Sequence, residues 1–197
     1  MRSEKAPVSN APGLARHFSL AFLLGGLSAT AQPHPPTSPG PEQTGFLSCG
    51  PARFEASTQY LDLPDHDRQV VAQKLGRLGT GSTPPHRLPH EGRPLKQPFL
   101  RQTPVLDAWV SGWACLVSAD GQHHYLYLLY ACTESPHRPA CTGTEREWPR
   151  LLDLSGRPLN AGFARTGPRT PRLMQKLGLG RYLQEGVSLK DITAQDP

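Results

Sequence analysis

The residues of this 197-residue chain that could do chemistry are its four cysteines, eight histidines and sixteen acids. Their spacing decides most of the possibilities. His86 and His90 stand four apart, a spacing that serves a metal ion only on a helix, and Pro84, Pro85 and Pro89 forbid a helix there. His123 and His124 are adjacent in a strand-like run, so they point to opposite faces and do not reach one ion. Solvated loop histidines account for them, and neither a metal nor a cofactor is expected. The chain contains no G-x-S-x-G, no H-E-x-x-H, no phosphate-binding glycine loop and no dinucleotide fingerprint. A cysteine nucleophile would need a free thiolate beside a histidine. His124 and Cys115 share a proposed face, but four cysteines in an exported chain pair instead. No catalytic residue is therefore assigned. A small secreted hydrolase-type enzyme working through His123, His124, Asp120 or Asp107 is the alternative reading.

Two other constellations could bind rather than react. Trp109 and Trp113, with Tyr130 across from them, could make a stacking platform for a sugar or peptide, although a hydrophobic core wants the same residues. Arg157, Arg165, Arg169, Arg172, Lys176 and Arg181 follow one another without an acid between Leu154 and Gln184. Arg165, Arg169 and Arg172 in particular could meet an anionic envelope polymer, and a protein partner is the other possibility.

The cysteines lead back to the elements. Residues 1–31 have the parts of a secretory signal: basic Arg2, Lys5 and Arg16, an apolar run from Phe18 to Leu27, and Ala29-x-Ala31 before Gln32. Cleavage there removes three basic residues and Glu4 from totals of 21 and 16, leaving 18 Lys and Arg against 15 Asp and Glu. That modest excess gives no reason to expect nucleic acid as a partner. No transmembrane segment is expected in the remaining chain, and the location is periplasmic or secreted. Cys49, Cys115, Cys132 and Cys141 then read as two disulfides, since exported chains oxidise their thiols and no CxxC pair suggests zinc.

The elements that hold these residues are read as follows. Residues 32–45 carry five prolines and form a tether. A disulfide-stapled domain spans 46–185, and a tail covers 186–197. Within the domain, Asp65 to Leu78 reads as a helix, with an Asp N-cap, the stripe Val71, Leu75 and Leu78, and Gly79 as its stop. Residues 79–104 contain six prolines and read as a long surface loop. From Val105 to Cys132, two β-rich runs flank Asp120-Gly121, a hairpin signal that pairs positions summing to 241. Both faces of this hairpin are apolar, so it sits centrally and is covered on both sides. One face then carries Trp109, Trp113 and Cys115, with Tyr130 and Cys132 opposite. Glu147 to Gly162 reads as a further hairpin turning at Ser155-Gly156. Thr170-Pro171 opens a short helix weakened by Gly178 and Gly180.

The hairpin register excludes one disulfide. Cys115 and Cys132 sit six residues apart along paired strands, about 20 Å, whereas a disulfide needs Cα atoms about 4.4–6.8 Å apart. Of the two pairings left, Cys132–Cys141 with Cys49–Cys115 is favoured over the less local Cys49–Cys132 with Cys115–Cys141, because Cys141 lies just past a strand end. The fold expected is α+β, a small antiparallel sheet centred on the 105–132 hairpin with one or two short helices packed on it. The function expected is an exported binding or interaction module.

Overall fold

The computed structural model describes residues 38–63, 68–79, 81, 84–97, 103–142, 146–162 and 169–185. The proposed signal sequence, residues 32–37 of the tether, Arg165 and the tail after Glu185 lie outside the described residues. Strands β1 (Glu42–Cys49), β2 (Ala52–Asp62), β3 (Arg68–Arg77) and β4 (His86–Arg87) form one antiparallel sheet in that order. Strands β5 (Pro94–Leu95) and β6 (Val105–Leu106) pair with each other. Strands β7 (Ala108–Val117), β8 (His124–Cys132) and β9 (Glu147–Leu152) form a third sheet, and α1 (Arg169–Lys176) and α2 (Gly180–Glu185) follow.

The protein is thus mostly β, with three antiparallel sheets and two short helices, which corrects the α+β expectation of a single sheet. The principal error is the helix read over 65–78, where Arg68–Arg77 is β3, a central strand between β2 and β4. Two features hide its two-residue period. Val71 is bulged out of the ladder, since Gln59 pairs with Ala72 and Tyr60 with Val70. Gln73 points inward where alternation asks for an apolar side chain, and it is buried. What remains, Val71, Leu75 and Leu78, falls at helical spacing by coincidence. The tether also ends sooner than expected, because Glu42–Gly45 already belong to β1.

The first and third sheets face each other across the main core. Phe54, Ala56 and Leu75 come from one side, and Val110, Trp113, Leu126, Leu128, Tyr130, Trp148 and Leu152 from the other. On the far face of the third sheet, Leu116 and Leu151 pack on Met174 and Leu179 of the helical segment. The hairpin is therefore covered on both faces, as its composition requires. Helix α1 ends at Gly178 (φ 70°): Leu179 N–H donates to Met174 O and Gly178 N–H to Gln175 O. These two bonds satisfy the last carbonyls, and the buried Leu179–Met174 contact seals the cap.

Both disulfides of the favoured pairing are present, Cys49–Cys115 and Cys132–Cys141. The first joins the end of β1 to β7 and so staples the two sheets. Closing 66 residues of sequence, it contributes about 4 kcal/mol by restricting the unfolded chain. Two disulfides fit an oxidising compartment. Among the described residues, no helix is long and apolar enough to cross a membrane.

Candidate functional site

The interface between the sheets contains a polar layer that takes in His90 and Asp107, two of the residues weighed for chemistry in the sequence. Gln73 Nε2 donates to Thr58 Oγ1 (3.0 Å) and to Val110 O (3.0 Å), while Gln73 Oε1 accepts from Val110 N–H (2.7 Å). The carboxamide thus acts as a surrogate peptide unit on the outer edge of β7. His90 completes it: Nδ1 accepts from Gly92 N–H at 3.0 Å, so Nε2 carries the proton that goes to Gln73 Oε1, 2.9 Å away. Burial holds the His90 imidazole down to a pKa of about 4, so it is neutral at pH 7. Asn160 does on β9 what Gln73 does on β7. Its Oδ1 accepts from Leu151 N–H and its Nδ2 donates to Pro149 O, each at 2.9 Å.

The buried acids are equally engaged. Asp107 has no solvent exposure. It accepts from Arg93 N–H (2.8 Å) and Ser135 Oγ–H (3.1 Å) and faces Arg138 Nε at 3.4 Å. The Cys132–Cys141 bond closes the short loop that carries Ser135 and Arg138. Arg138 also donates to Glu91 O and lies 5.1 Å over the Trp148 ring. Glu91 pairs with Arg150 at 2.6 Å. The described part of the proline-rich stretch is fastened to the fold through His90, Glu91 and the buried Leu88.

Of the residues of the hydrolase alternative, Asp120 and His123 line one open pocket together with Lys176, while Asp107 and His124 lie elsewhere. Asp107 precedes β7 and Asp120 follows it, so a ten-residue strand of about 33 Å separates them. Asp120 is fully exposed in the hairpin loop, and its acidity is strengthened by hydrogen bonds from Ser118 Oγ and Gln122 N–H. The His124 ring lies against the Gly50 turn, and Cys115 is in a disulfide, so no thiolate faces it. Among the described residues, no group of three or more His, Cys, Asp or Glu could hold a metal ion.

The aromatic platform is dismantled by a second bulge. The expected register, pairs summing to 241, holds from Gly112↔Leu129 to Val117↔His124, but Ser111 is extruded and Val110 pairs with Tyr130. The bulge swaps faces, so Trp113 shares the core with Val110, while Trp109 alternates to the other side. Trp113 and Tyr130 are 0% and 1% exposed. Tyr130 stacks on Trp148 with centroids 5.1 Å apart, and burial pushes its phenol pKa up. These aromatics form core, not groove.

The C-terminal cations divide. Arg157 pairs with Asp153 at 3.1 Å, and Arg181 donates to Val117 O and Tyr182 Oη. Arg169, Arg172 and Lys176 are exposed on α1 at i, i+3 and i+7, hence on one stripe, with no ion pair among the described residues.

A second surface went unread in the sequence. An open groove of about 550 Å³ runs over the outer face of the β1–β4 sheet beside β4, lined by Glu42, Glu55, Lys74, Gly76, Arg77 and Arg87 among others. Its signal was a glycine inside a strand, and the helical reading of that segment concealed it.

No known protein family, curated protein or solved structure matches this chain.

Proposed function

We propose that this chain is a non-catalytic binding module of the periplasm or cell exterior, and that the basic stripe of α1 recognises an anionic polymer. The observation that carries the reading is the set Arg169, Arg172 and Lys176, exposed on one helical face with no acid in the helix to neutralise it. Two disulfides support the oxidising compartment. The histidine and acids of the interior support a non-catalytic role, because each already serves a structural bond. Cations spaced along one stripe suit a polymer of repeated negative charge, whose bound counterions are released on contact.

Alginate, a polyuronate, is a suitable probe for the full chain. Its affinity is expected to fall about tenfold between about 50 and about 200 mM salt. It is also expected to fall about tenfold in the R169Q/R172Q/K176Q variant, with little change in thermal midpoint, since exposed substitutions stay within about 0.5 kcal/mol. Binding that ignores salt, or that survives the triple substitution, would overturn the proposal.

A further inference from the structure

Gly76 lies in the interior of β3, in a cross-strand row with Glu55 of β2 and Arg87 of β4. Glycine weakens a strand, so one in this position needs a reason. The fold does not supply it. Gly76 is not among the glycines with positive φ, and a Cβ built there would meet only the His86 carbonyl, at 3.7 Å. What the missing side chain does create is a floor between two opposite charges. Glu55 and Arg87 flank it with Cα atoms two strand spacings apart, about 10 Å, and neither has an ion pair or hydrogen bond among the described residues. Arg77 pairs with Phe54 and so lies in the core-facing row, which leaves Arg87 as the cation in the row of Glu55 and Gly76.

We propose that this groove is a binding site for a short zwitterionic peptide, its carboxylate held by Arg87 and its ammonium by Glu55. The charge pattern selects the ligand. A uniformly anionic chain would meet Glu55, and a cationic one would meet Arg87. Lys74 offers no competing charge because Glu42 neutralises it at 3.3 Å, and Glu42 also accepts from Ser57. The ends of an extended tripeptide are separated by about 10 Å, which matches the row. The site is distinct from the α1 stripe and does not depend on polymer binding there.

The test is a titration of the ¹⁵N-labelled full chain with trialanine, read by amide shifts, against the same peptide acetylated and amidated. Trialanine is expected to give saturable shifts at Glu55, Gly76 and Arg87. Glu55→Gln and Arg87→Gln are each expected to weaken binding about tenfold, the loss of one charged hydrogen-bonding contact, and capping, which removes both charges of the peptide, about a hundredfold. Gly76→Val is expected to abolish binding while amides away from the groove keep their positions. If Gly76→Val fails to fold, Glu55→Gln and Arg87→Gln decide alone. Absence of saturable shifts with trialanine, equal binding of the capped peptide, or full affinity in the charge variants would overturn the proposal. So would alginate displacing the peptide from these amides.

Discussion

Between the sheets, Asp107, Glu91, Arg138, Arg150 and His90 each meet a defined partner. On the outer sheet face and along α1, Glu55, Arg87, Arg169, Arg172 and Lys176 have no ion pair among the described residues. The two regions use the same residue types for opposite ends. A charge removed from water is tolerable only when a partner and hydrogen bonds replace the solvent, so an interior charge is committed to the fold. A surface charge has water as its partner and stays available to a ligand. Of the side chains that look catalytic in sequence, Asp107 is committed to the fold, whereas Asp120 is exposed in the hairpin loop.

That contrast can be broken most strongly at Asp107. Asp107→Ala leaves the buried Arg138 guanidinium without its carboxylate and is expected to destabilise the protein by about 3–5 kcal/mol, measured by urea unfolding of the oxidised chain. A loss under about 1 kcal/mol would place Asp107 with the surface charges.

A smaller loss is expected on acidification. The His90 pKa lies near 4 in the folded protein against an ordinary 6.5, so between those values the unfolded chain binds more protons. The stabilisation is fully present above pH 6.5 and is lost as pH falls toward 4, up to about 3 kcal/mol at 1.36 kcal/mol per unit. In His90→Gln, the dependence of unfolding free energy on pH across that window should flatten.

The smallest effect belongs to the outer edge of β9. Asn160→Ala removes a partly buried carboxamide that bonds two backbone groups and Thr170. It is expected to cost about 1–2 kcal/mol in thermal or urea unfolding. A neutral result would mean that water replaces the side chain at that edge.

What was legible in the sequence was whatever depends on near neighbours or on a strict period. The hairpin register over Gly112–Val117 follows from the loop at Asp120-Gly121; that register excludes Cys115–Cys132, and the position of Cys141 just past a strand end favours the pairing observed. The start of α1 near Thr170-Pro171 and its stop before Gly178 follow from capping chemistry. What failed depended on bulges and on long-range amide pairing. Val71 and Ser111 each shift alternation by one residue, which turned a strand into an apparent helix and put Trp109 and Trp113 on one face. Gln73 reaches 37 positions along the chain to Val110, a partnership that no local pattern announces. The groove was lost with β3, since Gly76 becomes a floor only once Glu55 and Arg87 are known to flank it.

If the buried polar layer between the sheets is structural, the protonation of His90 reports it. Its ring nitrogens can be followed by long-range ¹H–¹⁵N correlation in the intact protein from neutral to acid pH. The account predicts a neutral ring at pH 7, protonated at Nε2, that titrates near 4. A midpoint at the ordinary 6.5, or a proton on Nδ1, would contradict it.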